Sequence, residues 1–241
     1  MVDFDSGDFE AASVALEFAA RLVGTDPDGA WMRQCVDDGL FGGAPFGEGD
    51  SAVADGLAMM DLWCRASRYD ADNAAASLRR ERLRLFVGLG SPEASINESF
   101  YVEPNSPLFG RCTLAVRSCY REWNLCNERQ RHEPDDRLDI MLAFCAFLMR
   151  EAHRASCAGD SGLCKRALRS FESFLVAHML PWASAWRFLV RSHAKTDYYR
   201  GVGEFVFGLE RACAGRLGIG FHESSGAFSY VVPSVGTCDG A

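Results

Sequence analysis

The sequence predicts an all-α fold, a single-domain helical bundle of roughly ten helices. Apolar residues recur at helical spacing through most of the chain, and glycines or prolines stand where those stripes end. A β-prone stretch occurs only at residues 228–232. With 241 residues, of which 48% are hydrophobic, the chain is long enough to bury a sizeable core.

Four helices are predicted in the first half of the chain. The apolar stripes place them at residues 8–24, at 31–36, from 50 or 51 to about 66, and within 69–90. Asp50 and Ser51 are both suitable N-caps for the third helix, and Gly24 suits the end of the first. The fourth helix carries Arg79, Arg80, Arg82 and Arg84. Because Glu81 interrupts them, we interpret this stripe as a solvated helix face.

A long middle loop is predicted at residues 91–108, which contain three prolines and show no sustained period. It separates the two halves of one domain that extends over residues 1–214. Helices follow at about 110–124, 134–155 and 161–179, and shorter ones follow Pro181 and Asp197. Pro134 and Pro181 are predicted in first helical turns, where proline is tolerated. Residues 215–241, rich in Gly and Ser, are predicted to form a mobile tail.

The charge of the chain narrows the classes of partner. The net charge is -8, from 25 Lys and Arg against 33 Asp and Glu, and this balance disfavours nucleic acid. The first residues are acidic where a secretory signal would be basic, so we expect no export segment and a cytoplasmic protein. The apolar run at 140–149 ends in Arg150 and Glu151, too short for a membrane span.

The ten cysteines include no C-x-x-C pair, and no H-x-x-x-H pair is present. Cys112, Cys119 and Cys126 recur every seven residues, which is typical of packing positions on a helix. We therefore expect reduced core thiols, no metal site and no cofactor. No phosphate-binding loop, nucleophile elbow or dinucleotide fingerprint occurs, and none of the ten cysteines lies in a recognisable catalytic motif, so a cysteine nucleophile stays open but is not indicated.

Three separated segments, 82–102, 119–149 and 174–209, carry a more specific signal. The first contains "LFVG" and then "ESFY", the second contains "CYREW" and then "HEPDDRLD", and the third contains "HMLPW". In this order they resemble the motifs of the TorD/DmsD/NarJ family, cytoplasmic chaperones that mature molybdenum-containing oxidoreductases. The resemblance covers roughly residues 8–213.

The resemblance implies a TorD-like bundle that binds the twin-arginine leader of a molybdoenzyme catalytic subunit precursor and delays its export until the cofactor is inserted. In such a protein the middle loop and the "EPDD" turn are associated with the peptide groove. The peptide-binding residues implied here are Glu98, Ser99, Tyr101, Glu133, Asp135, Asp136 and Arg137. His178, Pro181 and Trp182 match the H-x-L-P-W segment and are expected to hold the carboxy-terminal helices together.

Elementary chemistry supports the same site. A twin-arginine leader presents two guanidinium groups and then an apolar run, so its receptor needs carboxylates beside an apolar groove. Residues 132–153 begin with three carboxylates around Pro134 and continue as apolar helix, which is expected to be the most buried helix. Asp135 and Asp136 in a first helical turn would also be ordinary caps, and both interpretations stay open.

Two residues depart from the family pattern. Arg137 stands where histidine is usual, and Asp139 stands where glycine is usual. Arg137 could form an ion pair with Glu133, Asp136 or Asp139. Two other interpretations stay open: Arg137 marks a client with an atypical leader, or it marks a subfamily that binds the mature enzyme.

The sequence thus predicts a cytoplasmic, non-catalytic chaperone, with a dimer formed by exchange of helices left open. Two alternatives remain: a helical adaptor that binds a folded redox-enzyme partner, and a thiol- or nucleotide-dependent enzyme.

Overall fold

The computed structural model describes residues 4–88, 91–103, 109–128 and 132–220. These residues form helices and no β-strand, which confirms the predicted all-α class. The helices are α1 (Ser6–Gly24), α2 (Gly29–Asp37), α3 (Ser51–Ser67), α4 (Ala71–Arg82), α5 (Glu98–Val102), α6 (Arg111–Glu122), α7 (Leu138–Cys157), α8 (Ser161–Phe174), α9 (Leu180–His193) and α10 (Asp197–Arg216).

Several helices continue into one another through irregular turns. A 3₁₀ turn at Arg68–Asp70 joins α3 to α4, a π-helical turn at Leu83–Val87 extends α4, and another at Leu175–Met179 joins α8 to α9. When joined helices are counted once, the described ranges contain eight helical segments rather than about ten. A π-helical turn shifts the side chains that follow it around the helix axis, and such turns often lie at functional sites.

The centre of the bundle is α10. Every residue from 201 to 210 is buried, and α10 packs against α3, α9 and α1. The backbones of α3 and α10 approach closely where Gly56 faces Gly201, because a Cβ on either glycine would lie 2.6 Å from the carbonyl oxygen of the other. Helices α1 and α7 form another large pairing, and α7 also packs against α8.

Local sequence signals explain most helix ends. Asp50 caps α3 as predicted, since its side chain accepts a hydrogen bond from the Ala52 N–H at 2.9 Å. Pro181 lies in the first turn of α9, also as predicted. Asp5, Asp28 and Asp160 cap α1, α2 and α8 through their side chains. These acidic caps account for part of the excess of acidic over basic residues in the chain.

Four predictions about these elements are wrong. The helix predicted from Pro134 begins only at Leu138, so Asp135 and Asp136 lie before its first turn. The helix after Asp197 is not short but has 20 residues, and it is more buried than α7. The loop predicted at 91–108 contains α5. Cys126 lies beyond the end of α6 and is exposed, so it is not a packing position.

The predicted solvated arginine face is also wrong in part. Arg82 is buried, and its guanidinium donates to the carbonyl oxygens of Val23 and Gly24 and to Asp26 at 2.9–3.1 Å. It therefore closes the C-terminal end of α1, where carbonyl groups lack helical partners.

No helix within the described ranges is long and apolar enough to cross a membrane. The domain boundary at 214 stays a prediction, and α10 continues to Arg216. The β-prone stretch at 228–232, most of the predicted tail and residues 104–108 of the predicted loop lie outside the described residues.

Candidate functional site

Two segments that carry family motifs are joined in the structure. An antiparallel bridge pairs Asn97 with Arg137. Beside it the Glu98 N–H donates to the Asp136 carbonyl at 2.9 Å, and the Leu138 N–H donates to the Ile96 carbonyl at 2.7 Å. We call residues 95–101 and 133–139 together the motif junction. It places α5 directly against the turn that precedes α7.

Asp136 is a cap for a helix to which it does not belong. Its Oδ2 accepts from the Ser99 N–H in the first turn of α5 at 3.0 Å, and its Oδ1 accepts from the Thr113 hydroxyl of α6 at 2.6 Å. Its exposed fraction is 0%. Since α5 lacks a capping side chain of its own, Asp136 satisfies a donor that would otherwise be unpaired.

Asp135 fixes the other side of the same turn to α6. Its Oδ2 accepts from the Nε of Arg117 at 2.6 Å, and its backbone carbonyl accepts from the Tyr120 hydroxyl at 3.0 Å. The side chain is 0% exposed, so the negative charge is neutralised inside the protein by Arg117.

Glu98 and His178 connect α5 to the π-helical turn between α8 and α9. The Nδ1 of His178 lies 3.1 Å from both carboxylate oxygens of Glu98, whose side chain is buried. Burial alone would lower the pKa of His178, but hydrogen bonds to Cys119 and Glu98 raise it to about 9. His178 is therefore cationic at neutral pH and forms an ion pair with Glu98.

Aromatic contacts complete this connection. The rings of Tyr101 and Trp182 are stacked with centroids 5.0 Å apart, and the Tyr101 hydroxyl donates to the Ser95 carbonyl at 2.8 Å. The Trp182 indole donates to the His178 carbonyl at 2.5 Å. Phe100, next to Tyr101, remains 40% exposed.

Arg137 pairs with two of the three predicted acids. Its guanidinium makes a two-point contact with the Asp139 carboxylate, at 3.0 and 2.9 Å, and lies 3.8 Å from an oxygen of Glu133. The Asp139 side chain lies against Gly24 of α1, where a Cβ would approach its Oδ2 to 2.6 Å. The charges of Glu133, Arg137 and Asp139 are partly exposed and form one cluster.

The expectation of carboxylates that edge an open groove is wrong for Glu98, Asp135 and Asp136. All three are buried, and each has a protein donor within hydrogen-bond distance that offsets part of its desolvation, although Oδ1 of Asp135 has no partner among the described residues. The accessible carboxylates of the junction are those of Glu133 and Asp139. Of the predicted site residues, Ser99, Tyr101, Glu133 and Arg137 are partly exposed.

Sequence reasoning missed Thr113, Arg117 and Tyr120, which hold the acidic turn. They lie on one face of α6 at helical spacing, so the sequence contained a polar stripe that signalled a buried partner. The sequence alone could not identify the partner of this stripe, because the partner lies in a different segment of the chain. Within the described ranges, no group of three His, Cys, Asp or Glu residues is arranged to hold a metal ion.

The fold and the motif junction define an all-helical protein in which two sequence motifs form one partly exposed surface. The model of the nitrate reductase delta subunit family matches residues 49–187, which is more than half of the chain and includes the whole junction. The chain therefore belongs to this family, the NarJ/TorD-type chaperones, and the predicted family is confirmed.

Curated relatives are similar over about half of the chain. Proteins named "Tat proofreading chaperone DmsD" from Salmonella paratyphi A and Salmonella typhimurium are each 28% identical over 130 residues, which is 54% of this chain and 57% of theirs. A "Probable Tat proofreading chaperone DmsD" from Haemophilus influenzae is 23% identical over 118 residues, 49% of this chain and 51% of its own. The chain thus spans about half the length of the curated relatives it matches.

Proposed function

We propose that this protein is a cytoplasmic chaperone that binds the twin-arginine leader, and the apo form, of a molybdopterin oxidoreductase of the dimethyl sulfoxide reductase type. It assists cofactor insertion and delays export, and it catalyses no reaction. The observation that carries the proposal is the junction between the "ESFY" and "EPDD" segments, since the family resemblance assigns peptide binding to both. The family match and the names of the relatives support it.

The accessible face of the junction has the chemistry that such a leader needs. Glu133 and Asp139 offer carboxylates for guanidinium groups, and Phe100 and Tyr101 offer partly exposed aromatic surface for the apolar run. The buried acids Asp135 and Asp136 position this face and do not contact the peptide in the conformation described. Specificity then depends on charges at the rim of the surface.

Arg137 occupies the position that a leader guanidinium would take. Its two-point contact with Asp139 has the geometry expected between a peptide arginine and a carboxylate. A leader therefore competes with Arg137 for Asp139 and Glu133. This competition weakens binding, so removal of the Arg137 guanidinium is expected to strengthen it.

The test is titration of the full chain with a synthetic twin-arginine leader, followed by calorimetry. We expect a dissociation constant of micromolar or below for the twin-arginine peptide and weaker binding of a twin-alanine control. Glu133→Gln is expected to weaken binding about tenfold, from loss of a charged hydrogen bond, and Arg137→Ala to strengthen it about two- to fivefold. Asp55→Asn, which changes an exposed acid of α3, serves as the matched control.

Equal affinities for the twin-arginine and twin-alanine peptides would contradict leader recognition. Binding of the mature oxidoreductase without any binding of the leader would instead support the helical adaptor. An affinity that Glu133→Gln and Arg137→Ala leave unchanged would place the leader elsewhere than on the junction.

A further inference from the structure

The outer face of α3 is apolar although it is exposed to solvent. Leu62 is 69% exposed, and Tyr69 in the 3₁₀ turn that follows α3 is 86% exposed. Exposed residues recur there at helical spacing, so they lie along one side of the helix. We call this set of residues the α3 stripe: Asp55, Ala58, Met59, Leu62, Ala66 and Tyr69. A contiguous exposed stripe of this kind is typical of a surface that binds a partner.

The two ends of the α3 stripe carry opposite charges. Asp55 is exposed near the beginning of α3, and its carboxylate forms no ion pair within the described ranges. Arg68 lies with its guanidinium 4.4 Å from the centroid of the Tyr69 ring and donates to the Tyr69 hydroxyl, and it too lacks an acidic partner among the described residues. Arg65 differs, because Asp61 neutralises it at 2.7 Å. The stripe therefore has an unpaired acid at one end and an unpaired base at the other.

The order of residues along the α3 stripe is self-complementary about Leu62. When two copies of α3 lie antiparallel with Leu62 against Leu62, residues equally far before and after it face each other. Ala58 then faces Ala66, and these small side chains let the two helices approach closely. Asp55 faces Tyr69. A parallel arrangement would instead place Asp55 against Asp55 and the two basic ends against each other, which is unfavourable.

We propose that this protein forms a weak homodimer through the α3 stripe, with the two α3 helices antiparallel. At each end of the contact, the Asp55 carboxylate of one copy accepts hydrogen bonds from the Tyr69 hydroxyl and the Arg68 guanidinium of the other. The Tyr69 hydroxyl accepts from Arg68 within its own chain, so its proton is available for that carboxylate. Tyrosine and arginine commonly contribute much of the binding energy of an interface. This dimer differs from one formed by exchange of helices, because α3 stays in its own bundle.

The size of the contact limits its strength. A helix with the length of α3 and its 3₁₀ turn is ~30 Å long, and one pair of such helices buries on the order of 1,000 Å² in total. This area is at the low end for specific interfaces, so we expect a dissociation constant on the order of 50 µM.

The α3 stripe lies apart from the motif junction. The principal neighbours of α3 are α10, α2 and α4, and none of them carries a residue of the junction. At low micromolar protein the chain is expected to be monomeric, so substitutions on the α3 stripe should not change the affinity for a twin-arginine leader. The proposed dimer and the proposed leader binding can therefore fail independently.

Sedimentation velocity of the reduced full chain, between about 5 and 300 µM, tests the dimer. A reducing agent prevents disulfides between copies through the exposed Cys126 and Cys157. The weight-average mass is expected to rise with concentration from that of the 26.5 kDa monomer toward that of a dimer. Leu62→Glu, which places two carboxylates against each other at the centre of the contact, is expected to weaken dimerisation at least about tenfold. Val14→Glu, the matched control at an exposed valine of α1, should leave it unchanged.

Two results would overturn the proposal. A monomer at every concentration would show that the α3 stripe does not bind a second copy. A dimer that Leu62→Glu leaves intact would use another surface or an exchange of helices. Both substitutions are at exposed positions, and circular dichroism of each variant verifies that the fold is kept.

An exchange of charges tests the antiparallel orientation. Arg68→Asp alone and Asp55→Arg alone each place like charges together at both ends of the contact, and each is expected to weaken dimerisation about tenfold. Combined in one chain, the two substitutions restore opposite charges at both ends only if the helices are antiparallel. The double variant is therefore expected to regain most of the affinity of the unmodified chain. A double variant that dimerises as weakly as either single variant would contradict the antiparallel contact.

Discussion

The Oδ2 of Asp136 lies 3.0 Å from the backbone nitrogen of Ser99, although 37 residues separate them in the chain. Through this contact the turn before α7 caps α5, and through Oδ1 the same carboxylate holds Thr113 of α6. One buried side chain thus sets the relative positions of three elements around the junction. Its substitution should change stability and leader binding together.

Asp136→Ala is expected to lower the free energy of unfolding by about 3 kcal/mol, because the Ser99 N–H and the Thr113 hydroxyl lose their acceptor in a buried site. Asp136→Asn is expected to cost about 1 kcal/mol or less, since the amide oxygen accepts from Ser99 and the amide N–H₂ donates to Thr113. Urea denaturation measures both. Equal losses in Asp136→Asn and Asp136→Ala would show that the negative charge, not the capping geometry, dominates.

The ion pair of His178 and Glu98 predicts a dependence of stability on pH. The pKa of His178 is raised from 6.5 to about 9 in the folded protein, so its contribution is fully present below pH 6.5 and is lost as pH rises through 9. The difference between the ordinary and the folded-state pKa of His178 corresponds to a loss on the order of 3 kcal/mol in the free energy of unfolding. Burial raises the pKa of Glu98, although the hydrogen bond with His178 opposes this shift. Because a carboxyl group with a raised pKa ionises less readily in the folded protein, this shift also lowers the stability of the folded state as pH rises.

The measurement is the free energy of unfolding of the reduced protein at pH 6 and pH 9, in the unmodified chain and in His178→Gln. Burial raises the pKa of Cys35 and Cys64 to about 12, so these thiols also reduce stability at alkaline pH. The two thiols lower the stability of the unmodified chain and of His178→Gln equally, so their effect cancels when the two proteins are compared. The unmodified chain should lose more stability than the variant. Equal losses would mean that His178 carries no net charge in the folded state.

Local patterns were sufficient for much of the fold but not for the site. The stripes predicted α1 and α3, and Asp50 and Pro181 were placed correctly, because caps and first turns depend on neighbouring residues. Asp135 and Asp136 follow a proline and precede an apolar run, so the local pattern placed them in the first turn of α7. Their actual partners lie on α5 and α6, and only the tertiary structure reveals them.

The length of α10 illustrates the same limit. A shorter helix is predicted after Asp197, and Gly201, Gly203 and Gly208 lower the helix propensity of this segment. In the structure these glycines allow close packing on α3 and α9, and the burial of the surrounding residues outweighs the propensity. The proximity of helices distant in sequence has no local signature.

Gly201→Ala tests this packing. The added Cβ would lie 2.6 Å from the Gly56 carbonyl oxygen and 2.9 Å from Cγ of Met60, so α3 and α10 must separate. We expect a loss of about 3 kcal/mol in the free energy of unfolding. Gly43→Ala is the matched control, because its Cβ meets nothing within 4 Å and its φ is not positive, and it should change stability by less than about 0.5 kcal/mol. A harmless Gly201→Ala would show that the two helices are not in close contact.

Glu81 provides the last prediction, since it caps the beginning of α10 from the end of α4. Its Oε1 accepts from the Lys195 N–H and, at 3.0 Å, from the N–H of Thr196, the N-cap of α10. A carboxylate there also interacts favourably with the helix dipole. Glu81→Ala is expected to lower the free energy of unfolding by about 2 kcal/mol and to speed hydrogen exchange in the first turn of α10. Glu10→Ala, at an exposed position of α1, should do neither. If exchange in α10 stayed slow in Glu81→Ala, the helix would begin independently of this contact, and the burial of Glu81 would need another explanation.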